Sequence, residues 1–297
     1  VVQLLTQNKE LRPLGIFNWT LPAFVVQLTN GKHMNVCPNA GICASVCYAR
    51  NGTYNFPSVK QAHVTKLEMV LNDIEKWRSM MTTELKHPRY RGKWVRIHDS
   101  GDFFSEEYLR AWMQIARDTP TTTFYCYTKE VAMFRKVIEV GVRVVKEAEE
   151  VFIATHPDFA GTIQADHPEK ARRQMVDQID AAAWPKNFMY CYSMGGKQDH
   201  LLDKEVDRHA EIFSSFRKAW DAGYDDQEED DRGCVTNENI KVCVIENNIP
   251  AFKKKLAGHT FGELQEKQDG DRAAKLERRR LEALASDPAT AHQPAQV

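Results

Sequence analysis

Five short runs rich in β-branched and aromatic residues alternate with amphipathic helical patterns along this 297-residue chain, and that alternation leaves few folds open. The strand-like runs fall at residues 24–28, 94–98, 122–127, 187–192 and 241–246. Between them, apolar residues recur every three or four positions. The longest such pattern starts at Pro57 and continues through Leu67, Val70, Ile74, Trp77, Met81 and Leu85 to about His87, predicting one long helix. Ser105 followed by two glutamates opens a second helix, residues 130–139 form a third, and residues 203–220 read as a fourth through Val206, Ala210, Ile212, Phe213 and Phe216. Strands joined through helices run parallel with right-handed crossovers. The chain is therefore expected to be α/β, as an open doubly wound sheet or a full or partial barrel.

The pattern weakens over 141–185, which reads as an insert carrying a helix at 167–184. Residues 1–254 are expected to form one α/β domain. Residues 255–297 read as an exposed helix followed by a disordered tail. A hydrophobic content of 42%, with six Trp and fourteen Phe, suffices for a sizeable core. Forty basic residues nearly cancel forty-one acidic ones, so no global field draws the chain to nucleic acid or an anionic membrane. No apolar run is long enough to cross a bilayer, and the N-terminus turns polar too soon for a signal peptide. The odd count of seven cysteines argues against a secreted disulfide framework and for reduced thiols. A cytoplasmic location is expected.

Three of those cysteines, Cys37, Cys43 and Cys47, lie within eleven residues in a C-x5-C-x3-C arrangement. Structural zinc usually arrives with paired C-x2-C hooks that close a tetrahedron. Three local cysteines with a distant or absent fourth suit a [4Fe-4S] cluster instead. Cys234 and Cys243 are the candidates for a fourth ligand, and Cys243 is equally credible as a core thiol. Cys126 and Cys191 sit in strands among aromatics and read as core.

Four polar turns follow strand-like runs: the cysteine loop, 98–102, 127–129 and 193–196. In parallel α/β folds such turns meet at the C-terminal strand ends, where active sites form. Asp99 and Asp102 bracket Ser100 and Gly101, with His98 alongside, so two carboxylates can hold an ammonium or hydroxyl group or move protons. The same residues can serve simply as turn and helix caps. Tyr127 and Lys129 at one strand end, and Ser193, Gly195 and Gly196 at the next, complete the candidate set. Lys129 is placed to grip an anion or donate a proton. The two glycines offer backbone N–H groups to a phosphate or carboxylate.

The segments TLPA, CPNAGICASVCYAR, RIHDSGDFFSEEYLRAW, FYCYTKE and NFMYCYSMGG resemble the phage protein family named for gene product 88. A cysteine triplet after the first strand and a glycine-containing turn after the second also resemble, more distantly, the radical SAM layout. That resemblance implies a partial or distorted (β/α) barrel in which three cysteines hold a [4Fe-4S] cluster, an open iron chelates S-adenosylmethionine (SAM), and the turn at 98–102 holds the SAM amino group. The spacing here is longer than the usual C-x3-C-x2-C, and no GGE motif is present. A flavin in the same mouth is an alternative.

Three readings follow. The first is a [4Fe-4S]-dependent lyase or redox enzyme acting on a small-molecule or nucleotide-like ligand, with Asp99, Asp102 and Lys129 as catalytic groups. The second is a metal-stabilised nucleic-acid-binding or replication protein in the host cytoplasm, as a phage setting would suit, with electrostatic support from the basic tail segment at 272–280. In the third, the metal merely pins the N-terminal loop to the sheet.

Overall fold

The computed structural model describes residues 3–155, 182–227, 230–247 and 249–285. Eight strands are present among them: β1 (Ile16–Trp19), β2 (Val25–Gln27), β3 (His33–Asn35), β4 (Trp94–Ile97), β5 (Thr123–Thr128), β6 (Phe188–Ser193), β7 (His209–Phe213) and β8 (Lys241–Ile245). Six form one sheet in the order β1-β4-β5-β6-β7-β8, and every neighbouring pair is parallel. β2 and β3 make a separate antiparallel pair.

The sheet order follows the chain order without reversal. Right-handed crossovers then place the long connecting helices on one face, whereas a doubly wound sheet reverses its order to cover both. Side-chain burial agrees. Phe17, Trp19, Val95, Ile97, Phe124 and Cys126 point into the larger core. There they meet α2 (Pro57–Asn72), α3 (Ile74–Leu85), α4 (Glu106–Asp118) and the start of α5 (Val131–Thr155). Trp19, Trp77, Trp112 and Tyr108 interlock within it, and the Trp19 indole donates to the Tyr108 hydroxyl at 2.8 Å. The alternate residues Ile16, Tyr125, Cys191, Ala210 and Val242 face the other way, into a smaller cluster with Cys234 and Val235 of the short α7 (Gly233–Thr236).

Several elements differ from the sequence-based expectation. The first sheet strand is IFNW, not the more strand-like run at 24–28, which lies in the β2–β3 hairpin with Val25 47% exposed. The long helix from Pro57 is two helices, because Asp73 turns extended and caps α3 by accepting from the Lys76 N–H at 2.9 Å. Residues 203–220 are not one helix. They contain β7 and then the short α6 (Phe216–Asp221), opened by Ser215. In β7 the alternation of Ala210 and Ile212 against Phe213 satisfied a helical spacing by coincidence. The expected insert begins inside α5, which continues unbroken to Thr155. The rest of that insert up to residue 181, including the helix expected at 167–184 except for its last residues, lies outside the described residues, as does the tail from 286.

The C-terminal elements return to the sheet. α8 (Pro250–Leu256) packs Phe252 and Leu256 against Val46 and Phe261. α1 (Cys43–Val46) is a single turn beside them. α9 (Phe261–Ala285) buries only its first turn, through Phe261 and Gln265, and is mostly solvent-exposed beyond it. Its docking is electrostatic as well as apolar. The buried Glu211 carboxylate of β7 accepts from the Gly262 N–H at 3.1 Å, at the positive end of the helix dipole.

Burial nevertheless raises the Glu211 carboxyl to about 7, against 4.5 ordinarily, even with N–H donors from Ile212 and Gly262 opposing it. Between those values the folded chain holds a proton that the unfolded chain has lost, so stability falls as pH rises through this window. Glu211→Gln should remove this share of the fall, about 1–3 kcal/mol. Denaturant unfolding of both proteins at about pH 5 and about pH 8 measures it.

Candidate functional site

A cavity of about 980 Å³ opens over the C-terminal ends of the strands and along the face without the long helices. Cys37, Cys43 and Cys47 all line it, each partly buried and none in a disulfide. Cys43 begins α1 and Cys47 follows it, one helical turn apart and so on one face.

The cysteine loop is strapped on every side. The Cys43 N–H donates to the Gly195 carbonyl (3.3 Å), and the Ile42 N–H to the Gln265 side chain of α9 (2.7 Å). Asn39 donates through its backbone and side chain to Glu130 (3.2 and 2.6 Å). Lys197 Nζ donates to the Pro38 carbonyl, and Lys255 Nζ to that of Ser45. Gly195 is required here: its φ is +89°, and a Cβ would stand 2.7 Å from the Phe261 ring.

Burial and the negative neighbours Asp102, Cys43 and Cys47 push the Cys37 thiol up, opposed by the Phe24 N–H, which donates to its sulfur at 3.3 Å. Cys47 is raised to about 11, by burial first and then by Cys43, while the Ala49 N–H, Lys129 and Arg50 oppose this. Burial alone would lower the Lys129 amine, yet Cys43, Asp102, Asp199 and Cys37 together raise it. A buried cation therefore stands beside the three thiols that line the cavity. Among the described residues, no three His, Cys, Asp or Glu are placed to share one metal ion. In a cluster each thiolate binds its own iron and the sulfurs stand farther apart. Three convergent thiols, N–H donors to two of the sulfurs and a buried cation fit a polynuclear iron-sulfur group.

Cys234 and Cys243 do not join them. Cys234 is fully buried in the smaller core beside Tyr125 and Cys191, and Cys243 packs with Phe213, Ala219 and Tyr224 on the other face of the sheet. Neither lines the cavity. Cys126 and Cys191 are buried in the core.

The remaining candidates divide. Lys129 Nζ donates to Ser193 Oγ at 2.7 Å, and both residues line the cavity, as does Tyr127. Asp102 also reaches the cavity wall, yet its oxygens are already engaged: they accept from the Phe103 N–H (2.8 Å), the Thr128 hydroxyl (2.7 Å) and the Lys129 N–H (2.9 Å). Its role is to join the turn after β4 to the end of β5. Asp99 accepts from Asn18 Nδ2 (3.1 Å), the Tyr54 hydroxyl (3.2 Å) and the Thr20 hydroxyl. The expected anion cradle at Gly195 and Gly196 is not free, because both N–H groups donate to the Asp199 carboxylate (2.7 and 2.9 Å).

His98 and Ser100 are buried in the cavity wall. His98 holds φ +68°, and burial lowers its ring to about 3, so it is neutral. The sequence reading missed the floor of the cavity. Asn18 and Arg96, register partners on β1 and β4, point inward, and Arg96 binds Asp231 at 2.9 Å while lying 5.2 Å over the Tyr127 ring. A signal existed: Asn18 and Arg96 are single polar residues inside otherwise apolar strand runs.

Residues 3–144 match the protein family described as Gene product 88. The Gene 88 protein of Mycobacterium phage L5 is 35% identical over 101 residues, and that of Mycobacterium phage D29 is 32% identical over 107. Each alignment covers 31% of this chain and 42% of the relative, so the chain spans less than half the length of these relatives. No solved structure matches the chain. The three thiols, the 98–102 turn and Lys129 all fall within the family segment, whereas Cys234 and Cys243 fall beyond it. No helix of the described residues is long and apolar enough to cross a membrane.

Asp102→Ala should strand three buried donors and lower stability by about 2–4 kcal/mol, while Asp102→Asn should recover part of the loss. Urea unfolding of the three proteins provides the comparison.

Proposed function

We propose that this protein is a [4Fe-4S]-dependent enzyme, of lyase or redox type, acting on a small-molecule or nucleotide-like ligand in the cleft over the strand ends. The carrying observation is the convergence of Cys37, Cys43 and Cys47 with the buried Lys129 on one cavity wall. Cys37, Cys43 and Cys47 would each hold one iron. When bound, the cluster supplies one-electron chemistry and an iron able to take a ligand.

This chain's own residues do the rest. Lys129 offsets the thiolate charge and, through Ser193, presents a proton and a hydroxyl to the ligand side of the wall. Asp102 positions Lys129 by accepting from its backbone. Asp99 offers a carboxylate for a ligand ammonium or hydroxyl. With Cys234 and Cys243 in apolar packing, three thiolates would leave one iron for an exogenous ligand, which supports a SAM-type cofactor over a closed site. The unreversed parallel sheet with its long helices on one face supports the partial-barrel layout. A flavin has no observation in its favour. The nucleic-acid reading is weakened by pairing within α9, where Arg278 meets Glu282 and Arg280 meets Glu277. Action in the host cytoplasm is part of the proposal.

Anaerobic reconstitution with iron and sulfide should give a brown protein, and Cys43→Ala should abolish the colour. A wild-type chain that stays colourless and binds no iron would sink this reading. Added SAM should shift the EPR spectrum of the reduced protein. An unchanged spectrum would remove SAM as the cofactor.

A further inference from the structure

The inward face of the sheet changes character from one edge to the other. Toward β1 and β4 it carries Asn18 and Arg96. Toward β7 and β8 it is apolar: Ala210 and Ile212 alternate with Phe213 of the opposite face, and Val242 and Val244 alternate with Cys243. Ile212 and Val244 are register partners, line the cavity and keep part of their surface open to it. Ala210, also in the lining, is small enough to leave depth between them and β6.

Three elements enclose this end. α8 contributes Phe252 and Leu256, the start of α9 contributes Phe261, and α1 contributes Val46, and all four side chains line the cavity. Cys43 and Ile212 pack against the cluster that these four form. An apolar floor beneath an apolar wall is complementary to a hydrocarbon chain, and each methylene that leaves water here adds to binding. Glu246, directly after β8, also lines the cavity, and its carboxylate disfavours an anionic group at this far end.

The polar contact lies on the near side, at Ser193. It is the register partner of Ala210, and because Tyr192 before it points into the larger core, Ser193 shares the inward face with Ala210. Its surface is partly open and it lines the cavity. The Lys129 ammonium can only donate, so Ser193 Oγ is the acceptor in their 2.7 Å bond and the hydroxyl proton is left for a ligand oxygen. The cation behind the hydroxyl favours a negative oxygen over a neutral one. Ile212 stands one diagonal step across the strands from Ser193.

We infer that the β7–β8 end of the cleft is a subsite for an aliphatic carboxylate, whose oxygen accepts from the Ser193 hydroxyl and whose chain lies over Ala210, Ile212 and Val244 against Phe252, Leu256 and Phe261. This rests on the enzyme reading above and names the ligand class of the same cleft. The carbons nearest the carboxylate then lie beside Cys43, the thiol that packs against this apolar cluster.

Straight-chain carboxylates from butanoate to decanoate are the probes, titrated by calorimetry against the full-length chain before and after reconstitution, with octylamine as the control of opposite charge. One site is expected, with affinity rising about threefold to fourfold per methylene, and octylamine should bind at least tenfold more weakly than octanoate. Ile212→Thr and Val244→Thr should each weaken octanoate roughly tenfold and flatten the dependence on chain length. Ser193→Ala should weaken every carboxylate by a similar factor and leave that dependence intact. Circular dichroism identifies any variant that fails to fold, and the chain-length series on wild type stands without the variants. No saturable octanoate binding to folded wild type would overturn the inference. So would a chain-length dependence that both threonine variants leave unchanged, or octylamine binding as tightly as octanoate. A colourless chain that shows the dependence fails only the cluster, and a brown protein that lacks it fails only this subsite.

Discussion

The Asp102 carboxylate is the joint on which the cleft depends. It lies buried where the turn after β4, the end of β5 and the cysteine segment meet. Its side chain gathers donors from Phe103, Thr128 and Lys129, and its own N–H donates to the Val36 carbonyl, one residue before Cys37. Desolvating a carboxylate is costly, and burial does raise this one; the three donors and the Lys129 charge work against that rise. The result is a single atom group that sets the relative positions of Lys129, the 98–102 turn and the first thiol. Gly101, at φ +87° and with Leu21 only 2.7 Å from where a Cβ would stand, lets the turn lie close enough for this.

The sheet supplies the frame. Because strand order follows chain order, no long crossover helix covers the inward face among the described residues, and that face is free to carry Asn18, Arg96, Tyr127 and Ser193. The acidic stretch before α7 closes the floor instead, through Asp231 on Arg96 and Tyr125 and through Gln227 on Tyr127. A run that looks like a solvated loop in the sequence is thus the lid of the inner face. The Asp231 charge is answered by the Arg96 guanidinium and the Tyr125 hydroxyl.

Much of this was legible before any coordinates. The α/β class and all five expected strands follow from period and composition, the 24–28 run forming β2 of the hairpin and the other four lying in the main sheet, and Ser105 caps α4 as its spacing predicts. The cysteine loop, the 98–102 turn, Lys129 and Ser193 do meet. What escaped has physical reasons. β1 is short and carries Asn18, a residue poor in strand propensity whose place there is set by what it faces. β7 is five residues long, and so short a run fits two periods at once. The paired glycines looked like a free anion cradle because nothing local announces that Asp199, three residues on, fills it. The late cysteines were candidates by residue type, and only tertiary placement shows them facing apolar neighbours on either side of the sheet.

The straps on the cysteine loop also set an order of events in synthesis. The thiols precede their supports in the chain: Ile42 waits for Gln265, a partner 223 positions later, and Cys43 waits for the carbonyl of Gly195. Contacts of such long range form late in folding. A nascent chain therefore exposes three thiols on a loop without its walls until residue 265 has been made. Shape arrives only when α9 docks, so any group built on this loop is installed into a folded frame and not gathered by a growing one.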